Sequence, residues 1–293
     1  MCIRDSIYVG LGGTGVDFGQ RVGLVSQYNV QVSYINLVGP MSNGTAACTG
    51  VTNCGYGIRG ADGQSSASQN YNTYIGHVTI NGIAEAIDAD RWNNSVIEYS
   101  SFSNLLTGGQ HPDVVYSGGA HNFVFRYNYV TNCQSECIFT DNYNDFSGWY
   151  IYGNSFVQGP LGGAYWLEIG ETDVHIYNNN FIGITSNAAL KLNVLAAPSE
   201  VYNNMFFNSG VGDLGGTNGV LASTSNNIST AVDPFVNTAG GDFHLKAGSI
   251  AINAGKVPPS DAFETIDSNA KTDPDGYIYG STGTWDVGAY EYH

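Results

Sequence analysis

The sequence predicts an all-β chain wound as a right-handed parallel β-helix. Three observations carry that prediction: a repeat of about 25 residues, a two-residue alternation inside each repeat, and a composition suited to turns and strands. Gly occurs 39 times and Tyr 20 times in 293 residues, and Asn, Ser and Thr are abundant. A helical chain would lean instead on Ala, Leu, Glu and Lys.

The repeat emerges when segments of the form apolar, aromatic, x, Asn, x, apolar are stacked. Four align closely: Phe125-Arg-Tyr-Asn-Tyr-Val130, Ile151-Tyr-Gly-Asn-Ser-Phe156, Ile176-Tyr-Asn-Asn-Asn-Phe181 and Val201-Tyr-Asn-Asn-Met-Phe206. Looser copies end at Phe102, Ile80 and Val38. From Ile80 to Phe206 the last apolar residues follow one another at 22, 28, 26, 25 and 25 residues, a solenoid period. Alternation within each copy predicts one strand laid over its predecessor, with apolar side chains turned into a shared core. Asn128, Asn154, Asn179 and Asn204 then share a column. Stacked amides can bond along such a column, and Asn tolerates the left-handed backbone of a tight bend, so the column predicts a structural ladder at a corner.

A second short run follows in each repeat: Ile87–Asp90, Val114–Ser117, Ile138–Asp141, Leu167–Gly170 and Leu190–Asn193. With two or more strands in a coil of 22 to 28 residues, the chain resembles the right-handed parallel β-helix proteins of the pectate-lyase-like superfamily over about residues 27–230. That resemblance implies a fold and says little about activity. Further on, Asp242-Phe-His-Leu245, Ser249-Ile-Ala-Ile-Asn-Ala-Gly255, Asp275-Gly276 and Asp286-Val-Gly-Ala-Tyr-Glu291 are similar to the closing segment of exported bacterial β-helix proteins of the choice-of-anchor type. Nothing hydrophobic or basic follows His293, as the anchored versions would have. The expected domain is therefore a coil body over 7–230 and a C-terminal capping segment over 231–293, covering the open apolar end. A Gly, Ser and Thr-rich stretch over 39–72 interrupts the repeat. It reads as a loop excursion holding Cys48, Cys54 and Arg59 and walling one side of a groove. Residues 1–6, Met-Cys-Ile-Arg-Asp-Ser, resemble the translation of a transposase end used in sequencing libraries. They suggest a metagenomic bacterial sequence whose own start, with any export signal, is missing.

Charge narrows the partners. Nine Lys and Arg against 25 Asp and Glu give a net charge of −16, so nucleic acid is not expected, for want of a basic face. No apolar run reaches the length of a transmembrane helix. Apart from Cys2, the cysteines fall in two local pairs, Cys48 with Cys54 and Cys133 with Cys137. They read as two short disulfides of an exported protein or as buried thiols.

Chemistry is expected on the second run of each coil. If Ile87, Val114, Ile138, Leu167 and Leu190 point inward, then Asp88, Val115, Phe139, Glu168 and Lys191 form an outward column. Asp90, Ser117, Asp141, Gly170 and Asn193 form another. A third comprises Ala86, Asp113, Cys137, Trp166 and Ala189. Adjacent strands lie about 4.8 Å apart, so Glu168 and Lys191 fit an ordinary ion pair as well as a catalytic one. The segment Gly108-Gly-Gln-His-Pro-Asp113 places His111 beside Asp113, as a tuned acid or base or as a plain turn.

A polysaccharide lyase would draw its base from Lys191 or His111, with Arg91 or Arg126 helping. It would need Ca²⁺ to bridge a uronate to Asp88, Asp90, Asp113 or Asp141. A glycoside hydrolase would pair Asp113 with Asp141, or Asp141 with Glu168, at about 5 to 9.5 Å. The chain lacks the Gly-His-Gly and Arg-Ile-Lys of β-helix polygalacturonases. Without catalysis, Tyr116, Phe139 and Trp166 offer stacking surfaces for a glycan. The expectation is a secreted or cell-surface, monomeric, carbohydrate-active protein with no organic cofactor. It is read as lyase-like or glycosidase-like, with a non-catalytic glycan binder as the alternative.

Overall fold

The computed structural model describes residues 6–8, 14–17, 27–41, 55–60, 69–106, 112–140, 147–159, 165–169, 172–185, 188–192, 199–214, 223–257 and 271–293. Three parallel sheets make up the body. The first has nine strands: Ser6–Tyr8, Asn36–Val38, Thr79–Asn81, Ser101–Leu105, Tyr129–Cys133, Ser155–Val157, Asn180–Ile182, Met205–Phe207 and Ile228–Thr230. The second has eight: Thr14–Asp17, Tyr56–Arg59, Glu85–Asp88, Val115–Ser117, Ile138–Thr140, Tyr165–Ile169, Ala188–Leu192 and Gly212–Asp213. The third extends from Gln27–Tyr28 to Ser223–Ser225 and includes Trp92–Glu98, His121–Arg126, Ser147–Tyr152 and Thr172–Tyr177. Each coil visits the three in turn, and strands in a sheet come from successive coils. The fold is thus the all-β parallel solenoid the repeat predicts.

The core follows from register. Leu37, Ile80, Phe102, Val130, Phe156, Phe181 and Phe206 stack in one inward column on the first sheet, all fully buried. The rings of Phe156, Phe181 and Phe206 lie 5.1 and 5.0 Å apart and nearly parallel. These are the last apolar residues of the repeat, except that Leu37 stands where Val38 was expected. A second correction falls on the second sheet, where Val115, not Val114, is in register with Ile87 and Ile138. Two adjacent valines satisfy the same pattern. Only the pairing with neighbouring coils decides which turns inward.

The Asn-bearing hexapeptides are not single strands. Each straddles the corner between the third and first sheets, because its third residue is left-handed: Tyr127, Gly153, Asn178 and Asn203 have φ of 56°, 65°, 49° and 54°. The ladder asparagines stand one position later. Asn154 Oδ1 accepts the backbone N–H of Asn128 at 2.9 Å, while its Nδ2 donates to Phe125 O and Asn179 Oδ1 at 2.9 and 3.0 Å. The same bonds repeat at Asn179 and Asn204. Asn154→Ala leaves a buried N–H and a buried carbonyl unpaired, each worth about 1–3 kcal/mol. We expect it to cost about 3 kcal/mol by urea denaturation, and less than 1 kcal/mol would refute the ladder's role.

The left-handed position itself is costly for most residues, roughly 1–2 kcal/mol, but not for Gly and less so for Asn. Coils toward the C-terminus use Gly153, Asn178, Asn203 and Asn226 there, whereas earlier coils use Tyr34, His77, Tyr99 and Tyr127.

The described stretches of the C-terminal segment, 231–257 and 271–293, reach beyond the last coil. They run back along the flank, where Asn178 donates to Asp286 O and Gly288 O, Asn203 to Lys256 O, and Asn226 to Ala254 O. Phe243, Leu245, Ala251 and Val287 bury against Ile182, Met205 and Phe207, the outward side of the first sheet. The expected excursion over 39–72 is also only partly a loop, since Tyr56–Arg59 and Asn70–Tyr71 are strands of the second and third sheets. Ser6 already pairs with Asn36. Cys133 and Cys137 are placed as a short disulfide with Cα atoms 5.8 Å apart. Cys48 and Cys54 lie outside the described residues.

Candidate functional site

On the second sheet, alternation turns one residue of each strand away from the core. Register aligns Arg59, Asp88, Tyr116, Phe139, Lys191 and Asp213 in a single outward column, with the Cα atoms of Asp17 and Glu168 at the same register position. This is the expected column with one replacement, Tyr116 for Val115, and with Arg59 added above Asp88. Arg59 was read as a loop residue. The alternation of Tyr56-Gly-Ile-Arg59 about the buried Ile58 was the signal that could have placed it on the sheet.

Arg59 and Asp88 form the centre. Arg59 Nε lies 2.9 Å from Asp88 Oδ2, and its guanidinium sits 4.6 Å over the Tyr56 ring. Asp88 faces away from the core yet is only 4% exposed, and its Oδ1 has no hydrogen-bond partner among the described residues. Burial, reinforced by the Asp90 carboxylate and opposed by Arg59, pushes Asp88 up to about 7. Glu85, three residues earlier, is also raised well above the usual range by burial and by Asp88 and Asp113. Four carboxyl groups share this neighbourhood with one guanidinium, so they cannot all be charged at neutral pH. Next along the column, Tyr116 and Phe139 stack with centroids 6.0 Å apart.

The other expected residues disperse. Asp113 is fully buried, and with Ala86 N bonded to its carbonyl it lies beside Glu85 rather than in the outward column. The one-residue shift at Val115 explains this. Asp90 turns its carboxylate to the Gly118 N–H. Arg91 lies in the turn leaving the sheet, with a left-handed φ of 53°.

Glu168 and Lys191 are in register on adjacent strands, but Lys191 is four strand spacings from Asp88, about 19 Å. One reacting bond cannot span that distance. Trp166 belongs to the strand Tyr165–Ile169. His111 and Asp141 lie outside the described residues.

Arg126 is on the third sheet, buried, with Nε 2.6 Å from Glu98 Oε2 and Nη1 2.8 Å from Tyr152 Oη. The structure thus places Arg126 on a different sheet from Asp88, away from this face. Among the described residues no group of three or more His, Cys, Asp or Glu is placed to hold a metal ion. No helix there is long and apolar enough to cross a membrane.

No protein-family model matches the chain, and no curated protein matches it. Chemistry on this face must therefore be argued from its own residues. A guanidinium, a carboxyl group whose protonation changes near neutrality, and an aromatic pair stand in line on adjacent coils. Together they can bind an anionic or hydroxyl-rich group, exchange a proton with it and stack against a ring.

Proposed function

We propose that the protein is a secreted, carbohydrate-active β-helix protein that takes an extracellular polysaccharide across the second sheet, over Arg59, Asp88, Tyr116 and Phe139. The observation carrying this reading is the Arg59–Asp88 pair beside the Tyr116–Phe139 stack in one outward column. Asp88 serves as proton donor or acceptor, since its pKa near 7 suits both roles at neutral pH. Arg59 orients Asp88 and neutralises charge on the polymer. Tyr116 and Phe139 seat a sugar ring. The resemblance to pectate-lyase-like proteins favours lyase-like or glycosidase-like action. For a uronate polymer the reading includes Ca²⁺ bridging the polymer to the carboxylates of this face.

The test is incubation with pectin, alginate, chondroitin and neutral glucans, with and without Ca²⁺, following both unsaturated ends and reducing sugar. Asp88→Asn is expected to lower turnover at least about 100-fold, the scale of a lost acid–base group, with binding little changed. Full turnover by a folded Asp88→Asn variant would overturn the catalytic role. The stacked pair favours a second reading, a non-catalytic glycan binder. That reading replaces the first if the unaltered protein cleaves none of these polymers and Tyr116→Ala abolishes binding.

A further inference from the structure

The corner between the third and first sheets is built in two ways, and the difference points to a second site. In the coils toward the C-terminus the left-handed position is Gly153, Asn178, Asn203 and Asn226, and the C-terminal segment lies over it, bonded to three of those side chains. In the earlier coils the same position holds Tyr34, His77, Tyr99 and Tyr127, residues poorly suited to a positive φ. Mutual stacking accounts for part of this choice. Tyr34 and His77 lie 4.8 Å apart at 6°, and His77 and Tyr99 lie 5.3 Å apart at 4°.

Stacking does not explain why the column faces solvent. Tyr34 is 53% exposed and Tyr99 38%. The regularity breaks at the next step, where Tyr99 and Tyr127 tilt 40° apart, and the Tyr127 hydroxyl is held by Thr272 O at 2.8 Å. At that step Asp275 and Tyr290 wall a cleft of about 490 Å³ floored by Tyr99, Tyr127 and Ser101.

We propose that this cleft, with the aromatic column leading into it, binds a neutral oligosaccharide. Its volume falls in the ordinary range for small-ligand sites. Its described lining carries hydroxyls and aromatic rings, and no Lys or Arg to hold an anionic polymer. Asp275 and the Ser101 hydroxyl can accept or donate to sugar hydroxyls, and the wedge between Tyr99 and Tyr127 presents ring surface to a sugar face. Asp275 is fixed for this by His244 Nε2 at 2.6 Å. The site lies on a different face from Asp88, and the proposal does not depend on the function assigned to the second sheet.

Isothermal titration calorimetry with cellohexaose, xylohexaose and mannohexaose, against an oligogalacturonate and a proline-rich peptide, tests the proposal. At least one neutral hexasaccharide should bind the unaltered protein. Tyr99→Asn should weaken it at least tenfold, and Tyr116→Ala, which removes ring surface from the second sheet, should leave it unchanged. Because Asn accepts the left-handed backbone, Tyr99→Asn should melt no lower than the unaltered protein, which separates lost binding from lost folding. Tyr34→Asn should produce a smaller loss on the same hexasaccharide. Binding of the peptide or the oligogalacturonate alone, no binding of any neutral sugar, or undiminished binding by Tyr99→Asn would each overturn the proposal. Loss of binding in Tyr116→Ala but not in Tyr99→Asn would assign the sugar to the second sheet instead.

Discussion

Arg126→Ala destabilises the protein by about 3–5 kcal/mol, the usual penalty for stranding one member of a buried ion pair. Arg126 and Glu98 are both under 10% exposed, and the guanidinium contacts Glu98 Oε2 through Nε and Nη2 at 2.6 and 2.5 Å. The other carboxylate oxygen accepts from the Tyr74 hydroxyl at 2.9 Å. Removing the guanidinium leaves the Glu98 carboxyl group enclosed without its ion-pair partner, holding the Tyr74 hydroxyl. At about 2–4 °C per kcal/mol for a domain approaching this size, thermal unfolding should shift down by about 10 °C. Replacing both partners, as in Glu98→Leu with Arg126→Met, should cost clearly less than Arg126→Ala alone, because no charge is left behind. The double variant should also keep the glycan binding proposed for the second sheet. If it folds and loses that binding, Arg126 touches ligand after all and the placement on the structural face is wrong.

Arg126 also shows where sequence reasoning stops. Its strand and outward direction follow from the alternation in Phe125-Arg-Tyr-Asn, but the corner beside it is covered by chain 145 residues from Tyr127, through Thr272. No local pattern encodes that. What recurs was legible: the 25-residue interval, the apolar column from Ile80 to Phe206 and the asparagine ladder, because each coil repeats the same solution. What occurs once was not. Whether Val114 or Val115 faces the core depends on pairing with Ile87 and Ile138, and that single residue moves Asp113 from the groove to the interior and brings Tyr116 into it. Arg59 was hidden in a Gly and Ser-rich stretch whose composition suggested a loop. A second ladder of left-handed asparagines, Asn72, Asn94 and Asn122, went unseen because its residues lack a common flanking motif.

The protein should be most stable at mildly acidic pH and lose stability steadily from about pH 4 to about pH 7. Asp88 is displaced from 3.8 to about 7 by burial and by Asp90. Between those values the folded form holds a proton that the unfolded chain releases, so raising the pH favours unfolding. For Asp88 alone this amounts to about 4 kcal/mol given up across that window. Glu291, pushed up to about 7 by burial and by Asp286, acts in the same direction, as do Glu85, Asp273 and Asp286, all raised chiefly by burial.

His244 adds to the trend. Against burial, which would lower it, hydrogen bonds to Asp275 and Asp242 hold it above its usual range. Its contribution is thus complete below about 6.5 and lost as pH rises through the folded value. Thermal melts from pH 4 to 8 should decline throughout, and Asp88→Asn should flatten the part below 7.

Self-repulsion from a net charge of −16 could produce a similar slope, but salt screens dispersed surface charge far better than buried groups. A slope that survives 0.5 M NaCl and flattens in Asp88→Asn belongs to the buried carboxyl groups. A slope that salt abolishes belongs to the surface, and Asp88 would then be an ordinary ionised partner of Arg59 with no proton to exchange near neutrality.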